Sequence, residues 1–325
     1  MRCPRYGTSC SKYNTVRHCP GCALWQQAKQ ARQVRVESAR EARGRQAGSG
    51  TFVRRDGQTD QAAYSEYDRS GQSLQPAATD VVYHYDGSLD GLYCCVFECV
   101  YLREQPVAIV PAQEAQPTLL RIKDIPLDRD KARRVRASIP AKISGDALDL
   151  VETVFLSCLE QKELRILRFL LLGYREGAKT LHMLGHPDVA PMLDAEKHLL
   201  KEAHLLKGFV RFSDFDGVLA ANITPKNFIL PFLANHFCAR YAEEEFVIYD
   251  KTHRAALLYQ NRRRSIVRLE EMPFPRADAA EERYRALWKT FYHTIAIEAR
   301  TNPRCRMTHM PKRYWENMTE MRELL

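Results

Sequence analysis

The stretch Glu196–Pro225, EKHLLKEAHLLKGFVRFSDFDGVLAANITP, decides how the rest of the chain is read. Leu199, Leu200, Ala203 and Leu206 recur at three- and four-residue intervals and form one face of a helix. Gly208 supplies the left-handed residue on which helices commonly end. Beyond it the apolar period falls from about 3.6 to about 2, the mark of a strand. Val210 and Phe212 then point one way, Phe209 and Arg211 the other. Asp216-Gly217 is a strong turn signal, so an antiparallel hairpin is expected over 209–223. His204, Lys207 and Arg211 are the polar groups at this junction. A helix end beside a sheet edge is a place to hold a ligand; the plainer alternative is that these residues only solvate the corner.

Toward the C-terminus, Phe228 to Tyr241 reads as a helix with Leu230, Leu233, Phe237 and Tyr241 inward and His236 and Arg240 on its flank. Phe246–Tyr249 is a strand ending at Asp250, followed by strands over 254–259 and 265–269. A long helix over 279–300 carries the stripe Tyr284, Leu287, Trp288, Phe291 and Ile295, which is expected to be buried. The chain closes on a short helix opened by Pro311, within MPKRYWENMTE.

Toward the N-terminus, 146–206 is strongly helical, and Arg129, Arg133 and Arg136 share one face of a basic helix expected to break at Pro140. That face suits either phosphate contact or solvation. Two short strands, 107–110 and 118–122, precede it. Ser88 caps an almost wholly apolar helix over 92–103, and Val81–Tyr85 is a strand. The expected fold is therefore α+β: antiparallel hairpins among many helices, in a single body over 80–325.

Residues 1–79 differ. They carry 13 Lys or Arg against 6 Asp or Glu, whereas 80–325 is nearly balanced, although the whole chain stands at +9. From Gln27 to Ala78 there are too few large apolar residues to offset ordering entropy, and a flexible basic extension is expected. Cys3, Cys10, Cys19 and Cys22 could hold zinc as a four-cysteine knuckle, although the first pair is spaced too widely for a standard ligand pair. In a chain with no visible export signal, Cys94, Cys95, Cys99, Cys158 and Cys238, on apolar helices, read as buried free thiols. No apolar run reaches the roughly 18 residues of a membrane span, so a cytoplasmic protein without a membrane partner is expected.

For chemistry, Lys312 and Arg313 sit in the first turn of a helix, where the dipole already favours an anion. Tyr314 and Trp315 beside them offer stacking surfaces, or else fill the core. Asp250, near His236, Arg240 and Arg254, suits either acid/base chemistry or an ion-pair anchor. The pairs His182/His186 and His198/Glu202 have helical spacing but lack the HExxH form of a zinc protease. No GxSxG, Walker loop, GxGxxG or CxxxCxxC cluster is present.

The blocks 84–88 (HYDGS), 202–212 (EAHLLKGFVRF), 236–240 (HFCAR), 247–250 (VIYD) and 311–315 (PKRYW) together resemble one bacterial DNA-metabolism (DNA-repair) family. That family is encoded beside a DNA-repair-associated radical SAM protein, and in some members the domain is fused to a uracil-DNA glycosylase-like domain. The likeness runs in order through 80–325. Leu205 stands where the family pattern carries a basic residue. The resemblance implies a DNA-repair setting, with DNA and a radical SAM protein as partners, and no particular reaction. The leading expectation is a DNA-binding accessory protein. Lys207, Arg211, Arg240, Arg254, Lys312 and Arg313 would serve as its phosphate contacts, and Tyr314 or Trp315 would stack on a displaced base. One alternative is a glycosylase-like or nuclease-like enzyme using His204, His236 and Asp250; another is a protein-binding scaffold.

Overall fold

A computed structural model describes residues 77–78, 80–215, 217–273 and 277–322. The expectation of zinc at Cys3, Cys10, Cys19 and Cys22 lies outside the described residues, as does that of a flexible extension except at Ala77–Ala78, which form a short strand paired with Glu104–Gln105.

The chain runs through β1 (Ala77–Ala78), β2 (Val81–Tyr85), α1 (Leu89–Leu102), β3 (Glu104–Gln105), β4 (Ala108–Pro111) and β5 (Arg121–Asp124). Strands β4 and β5 flank β2, and both pair with it in parallel. Ser88 caps α1 by accepting a hydrogen bond from Gly91 N at 2.9 Å. A side chain at Gly91 would displace the Asp86 carboxylate, which holds Ser88 N and Oγ. Helices α2 (Arg129–Lys142), α3 (Gly145–Phe155) and α4 (Lys162–Glu176) follow, the first two capped by Asp128 and Ser144. Pro140 does not break α2; it sits in the last turn. The core of this half is built from residues such as Tyr83, Leu92, Val151, Leu167 and Phe169, all fully buried.

The second half comprises α5 (Ala190–Phe209), β6 (Ser213–Phe215), β7 (Val218–Ile223), α6 (Leu230–Arg240), β8 (Glu245–Asp250), β9 (Ala255–Gln260) and β10 (Arg263–Arg268). Helices α7 (Ala279–Thr294) and α8 (Pro303–His309) and a 3-10 helix, Lys312–Asn317, complete it. The strands form a five-stranded sheet in the order β10-β9-β8-β7-β6. The described residues all fall within one unit, Ser70–Leu325. No helix among them is long and apolar enough to cross a membrane.

The α+β class holds, but the sheets are mixed rather than simply antiparallel. β6/β7, β8/β9 and β9/β10 are antiparallel. β7/β8 is parallel because α6 returns the chain to the same end of the sheet. The hairpin is shorter than expected: α5 continues through Gly208 to Phe209 and is closed by an extended Val210, so strand pairing begins only at Ser213. The left-handed glycine is Gly217 at φ +87°, in the hairpin turn. Cys158 lies exposed in a loop rather than buried on a helix, and Cys238 is half-buried; Cys94, Cys95 and Cys99 are buried as expected.

The largest correction concerns α7. Its apolar stripe faces solvent: Tyr284 is 67% exposed, Leu287 58%, Phe291 52% and Ile295 59%. Polar groups, together with half-buried Tyr292 packing against the core of this half, fix the helix on the body instead. Glu281, buried, accepts from Asp214 N at 3.2 Å, and Arg285 donates to Ser213 Oγ at 2.7 Å.

Candidate nucleic-acid interface

Two buried carboxylates organise the corner formed by the end of α5, the loop after β7 and the closing segment. Glu202 lies on the inward face of α5. It accepts hydrogen bonds from Lys226 N (3.0 Å), Asn227 N (2.9 Å), Asn227 Nδ2 (2.6 Å), the Arg313 guanidinium (3.0 Å) and the Tyr314 hydroxyl (2.8 Å). Burial pushes its carboxyl pKa up, but these donors outweigh burial and hold it below the usual range. Glu320 pairs with Arg211 at 2.6 Å and accepts from Trp288 Nε1 at 2.9 Å. Burial again opposes ionisation, and the Arg211 and Trp288 hydrogen bonds win, leaving its pKa lowered. Arg211 also donates to the carbonyls of Gly208 (2.8 Å) and Val210 (3.2 Å), which serves the open end of α5.

The helix corner and the closing segment therefore do meet: Phe209 packs on Tyr314 at 5.7 Å between centroids. They meet by burying their aromatics, however, and not by forming a charged surface. Tyr314 and Trp315, expected as stacking surfaces, are 1% and 5% exposed, within the second core. Burial, the largest influence on Tyr314, pushes its phenol up to about 12. Arg313 is paired with Glu202 and covers the Tyr314 ring. Lys312 remains exposed over the Trp315 ring at 5.6 Å. A 3-10 helix replaces the expected α-helical first turn, so the anion-binding argument for this segment falls away.

The charged surface lies on the other side of Arg211. A cleft of about 550 Å³ is lined by Lys207 from α5, Arg211, Arg240 and Tyr241 at the end of α6, and Tyr284, Arg285 and Trp288 from α7. Arg285 is neutralised by Glu281 at 2.7 Å and Arg211 by Glu320. Lys207 and Arg240 have no carboxylate partner among the described residues. Their field is felt by half-buried His236, whose pKa is lowered by burial first and then by Lys207 and Arg240. Arg211 lies over the Trp288 ring at 5.3 Å, and Trp288 remains 39% exposed. Unpaired cations beside exposed aromatic rings suit a ligand with both negative charge and a flat unsaturated ring.

Of the expected phosphate contacts, Lys207, Arg211 and Arg240 share this cleft, whereas Arg254, Lys312 and Arg313 do not line it. Arg254 is exposed and pairs with Glu270 at 2.6 Å. None of His204, His236 and Asp250 lines the cleft either. Asp250 is fully buried and caps its own turn: it accepts from Thr252 N and His253 N, and its other oxygen lies 2.7 Å from His253 Nδ1. This arrangement holds the turn that follows β8. His204 is exposed on α5. On the basic helix, Arg133 and Arg136 are engaged by Asp130 and Glu152. Among the described residues no group of three or more His, Cys, Asp or Glu forms a metal site.

Tyr284, Arg285 and Trp288 escape a reading of the sequence as site residues because the apolar period of α7 looks like a core stripe. The available signal is the parallel polar row Glu281, Arg285 and Lys289, at four-residue spacing, which competes for the inward position. No curated protein matches the chain. Residues 160–320, a span that contains both carboxylate hubs and every residue of the cleft, match the family model DUF4130, a domain of unknown function.

Proposed function

We propose that the protein is a DNA-binding accessory factor of DNA repair or modification, acting with a radical SAM partner, and that the cleft between α5, α6 and α7 receives unpaired DNA. The observation that carries this reading is the pairing of two uncompensated cations, Lys207 and Arg240, with the exposed rings of Tyr284 and Trp288 in one cleft. Phosphates would sit against the cations, and a splayed base against a ring. The repair setting and the radical SAM partner rest on the family resemblance of the blocks between 84 and 315.

The test is binding of fluorescent single-stranded, duplex and mismatched DNA over a salt series. Single strands and mismatches are expected to bind more tightly than paired duplex. Lys207→Ala and Arg240→Ala should each flatten the log–log salt slope by about 0.7 for single strands. Trp288→Ala should weaken binding by a further ~1–3 kcal/mol. Bound phosphate should also raise the His236 pKa toward its ordinary value, which an NMR titration reads. An unchanged slope in both cation variants rejects the reading.

A further inference from the structure

Helix α7 is amphipathic the wrong way round for a helix that closes a core. Glu281, Arg285 and the Trp288 indole N–H attach it through Asp214, Ser213 and Glu320, and half-buried Tyr292 packs against the second core. Those specific contacts fix its rotation, so the outward direction of the apolar stripe is built in. Leu287, Phe291 and Ile295 stand at four-residue intervals along that stripe, and Ile297 (56% exposed) continues it past the helix end. None of these four lines the cleft. A contiguous apolar row of this kind on a water-facing helix marks an interaction site.

The surrounding charge decides among occupants. Between residues 283 and 309 there are six Lys or Arg and one carboxylate, Glu298. Arg283, Arg300, Arg304 and Arg306 have no carboxylate partner among the described residues. A second copy would set the same arginines against themselves. The chain's own residues 1–79, with 13 cations and 6 anions, carry the same sign. Phe291 is the one aromatic ring in this row; Leu287, Ile295 and Ile297 have no flat face on which a base could stack, which disfavours nucleic acid here. We infer that the outward face of α7, from Leu287 through Ile297, docks an acidic amphipathic helix of a partner protein. Its apolar side would cover Leu287, Phe291 and Ile295, and its carboxylates would meet the flanking arginines. This inference does not depend on the nucleic-acid reading of the cleft.

The experiment uses the full chain and a labelled synthetic peptide of about 20 residues, with Leu and Phe at helical i, i+3, i+4, i+7 positions and Glu elsewhere. Two controls accompany it: the same peptide with every Glu replaced by Lys, and a scrambled sequence of the same composition. Anisotropy should show salt-sensitive binding of the amphipathic Glu peptide alone. The double variant Leu287→Ser/Phe291→Ser should weaken it at least about tenfold, and Ile295→Ser/Ile297→Ser should do the same. Lys207→Ala should leave it unchanged. Because the replaced side chains are exposed, the melting temperature should hold, which separates lost docking from lost folding. Equal binding of the scrambled or Lys peptide, or none by any, overturns the inference. So does indifference to both double variants. Self-association that Leu287→Ser/Phe291→Ser abolishes would instead assign the face to a second copy, and loss of DNA binding in place of peptide binding would assign it to nucleic acid.

Discussion

Glu202 shows how one side chain can tie three segments together. The residue is 3% exposed, and the donors to its carboxylate come from the loop after β7 and from the closing 3-10 helix. Removing it strands two backbone N–H groups, the Tyr314 hydroxyl and the Arg313 charge. Glu202→Ala should therefore cost about 3 kcal/mol of stability, read as a lower urea midpoint with an unchanged slope. The pH dependence has a definite sign. Glu202 and Glu320 both have folded pKa values held below the usual carboxylate range. Their contribution is thus present above the unfolded value, about 4.3, and is lost as pH falls through the folded one. Melting temperature should drop steadily below about pH 5, and Glu202→Gln, less stable at neutral pH, should lose less over the same acid interval. Part of this hub was legible in the sequence: Glu202 falls three residues after Leu199 and beside Ala203, a carboxylate set into a buried stripe. What could not be read was the identity of its donors, which lie up to 112 positions away.

At the scale of elements, α1 ends on a non-glycine residue in the left-handed region. Arg103 has φ +53°, and its N–H closes the helix on Cys99 O. Its side chain is exposed and has no carboxylate partner among the described residues. A side chain in that conformation costs about 1 kcal/mol, which glycine avoids. Arg103→Gly should therefore raise stability by about 0.5–1 kcal/mol after the added unfolded-state entropy is counted, as chemical denaturation would show. The elements themselves were largely readable, because period and caps are local. β2, α1, α6 and the run β8-β9-β10 follow from short loops and alternating or helical spacing. Strand direction was less accessible. The parallel pairing of β7 with β8 depends on the return through α6, and the three-stranded parallel sheet depends on α1 and on the long connection before β5. The period of α7 was readable too, but not its rotation. Hydrogen bonds made by Glu281, Arg285 and Trp288, with Tyr292 packed on the second core, outrank Tyr284, Leu287, Phe291 and Ile295 there, and spacing alone cannot weigh the two.

Among the described residues two large cores, beside a small third one, share a single helix. The first gathers buried residues from Val81 to Ala195, and the second from Leu199 to Met321. Helix α5 belongs to both: Met192 and Ala195 enter the first, Leu199, Ala203 and Leu206 the second. Two further ties cross between the halves, Phe228 N donating to Leu156 O at 2.8 Å and Cys158 N to Asn227 Oδ1 at 2.9 Å. The family match, 160–320, cuts across this plan. It keeps α4 but discards α1, α2 and α3, which share its core, so Leu164, Leu167, Phe169 and Leu170 would lose that cover. It also omits Met321, which is fully buried in the second core. Each fully buried apolar side chain is worth about 1.5–3 kcal/mol, so exposing four of them approaches the whole stability of an ordinary domain. A fragment 160–320 should therefore bind a hydrophobic dye strongly, keep helical far-ultraviolet dichroism, and lose its near-ultraviolet signal without a sharp melt. A fragment 77–322 should melt in a single cooperative step. If 160–320 instead melts as sharply and at the same temperature as 77–322, the first core is not needed to hold α4 and α5, and the cleft that α5 helps to form stands on the second core alone.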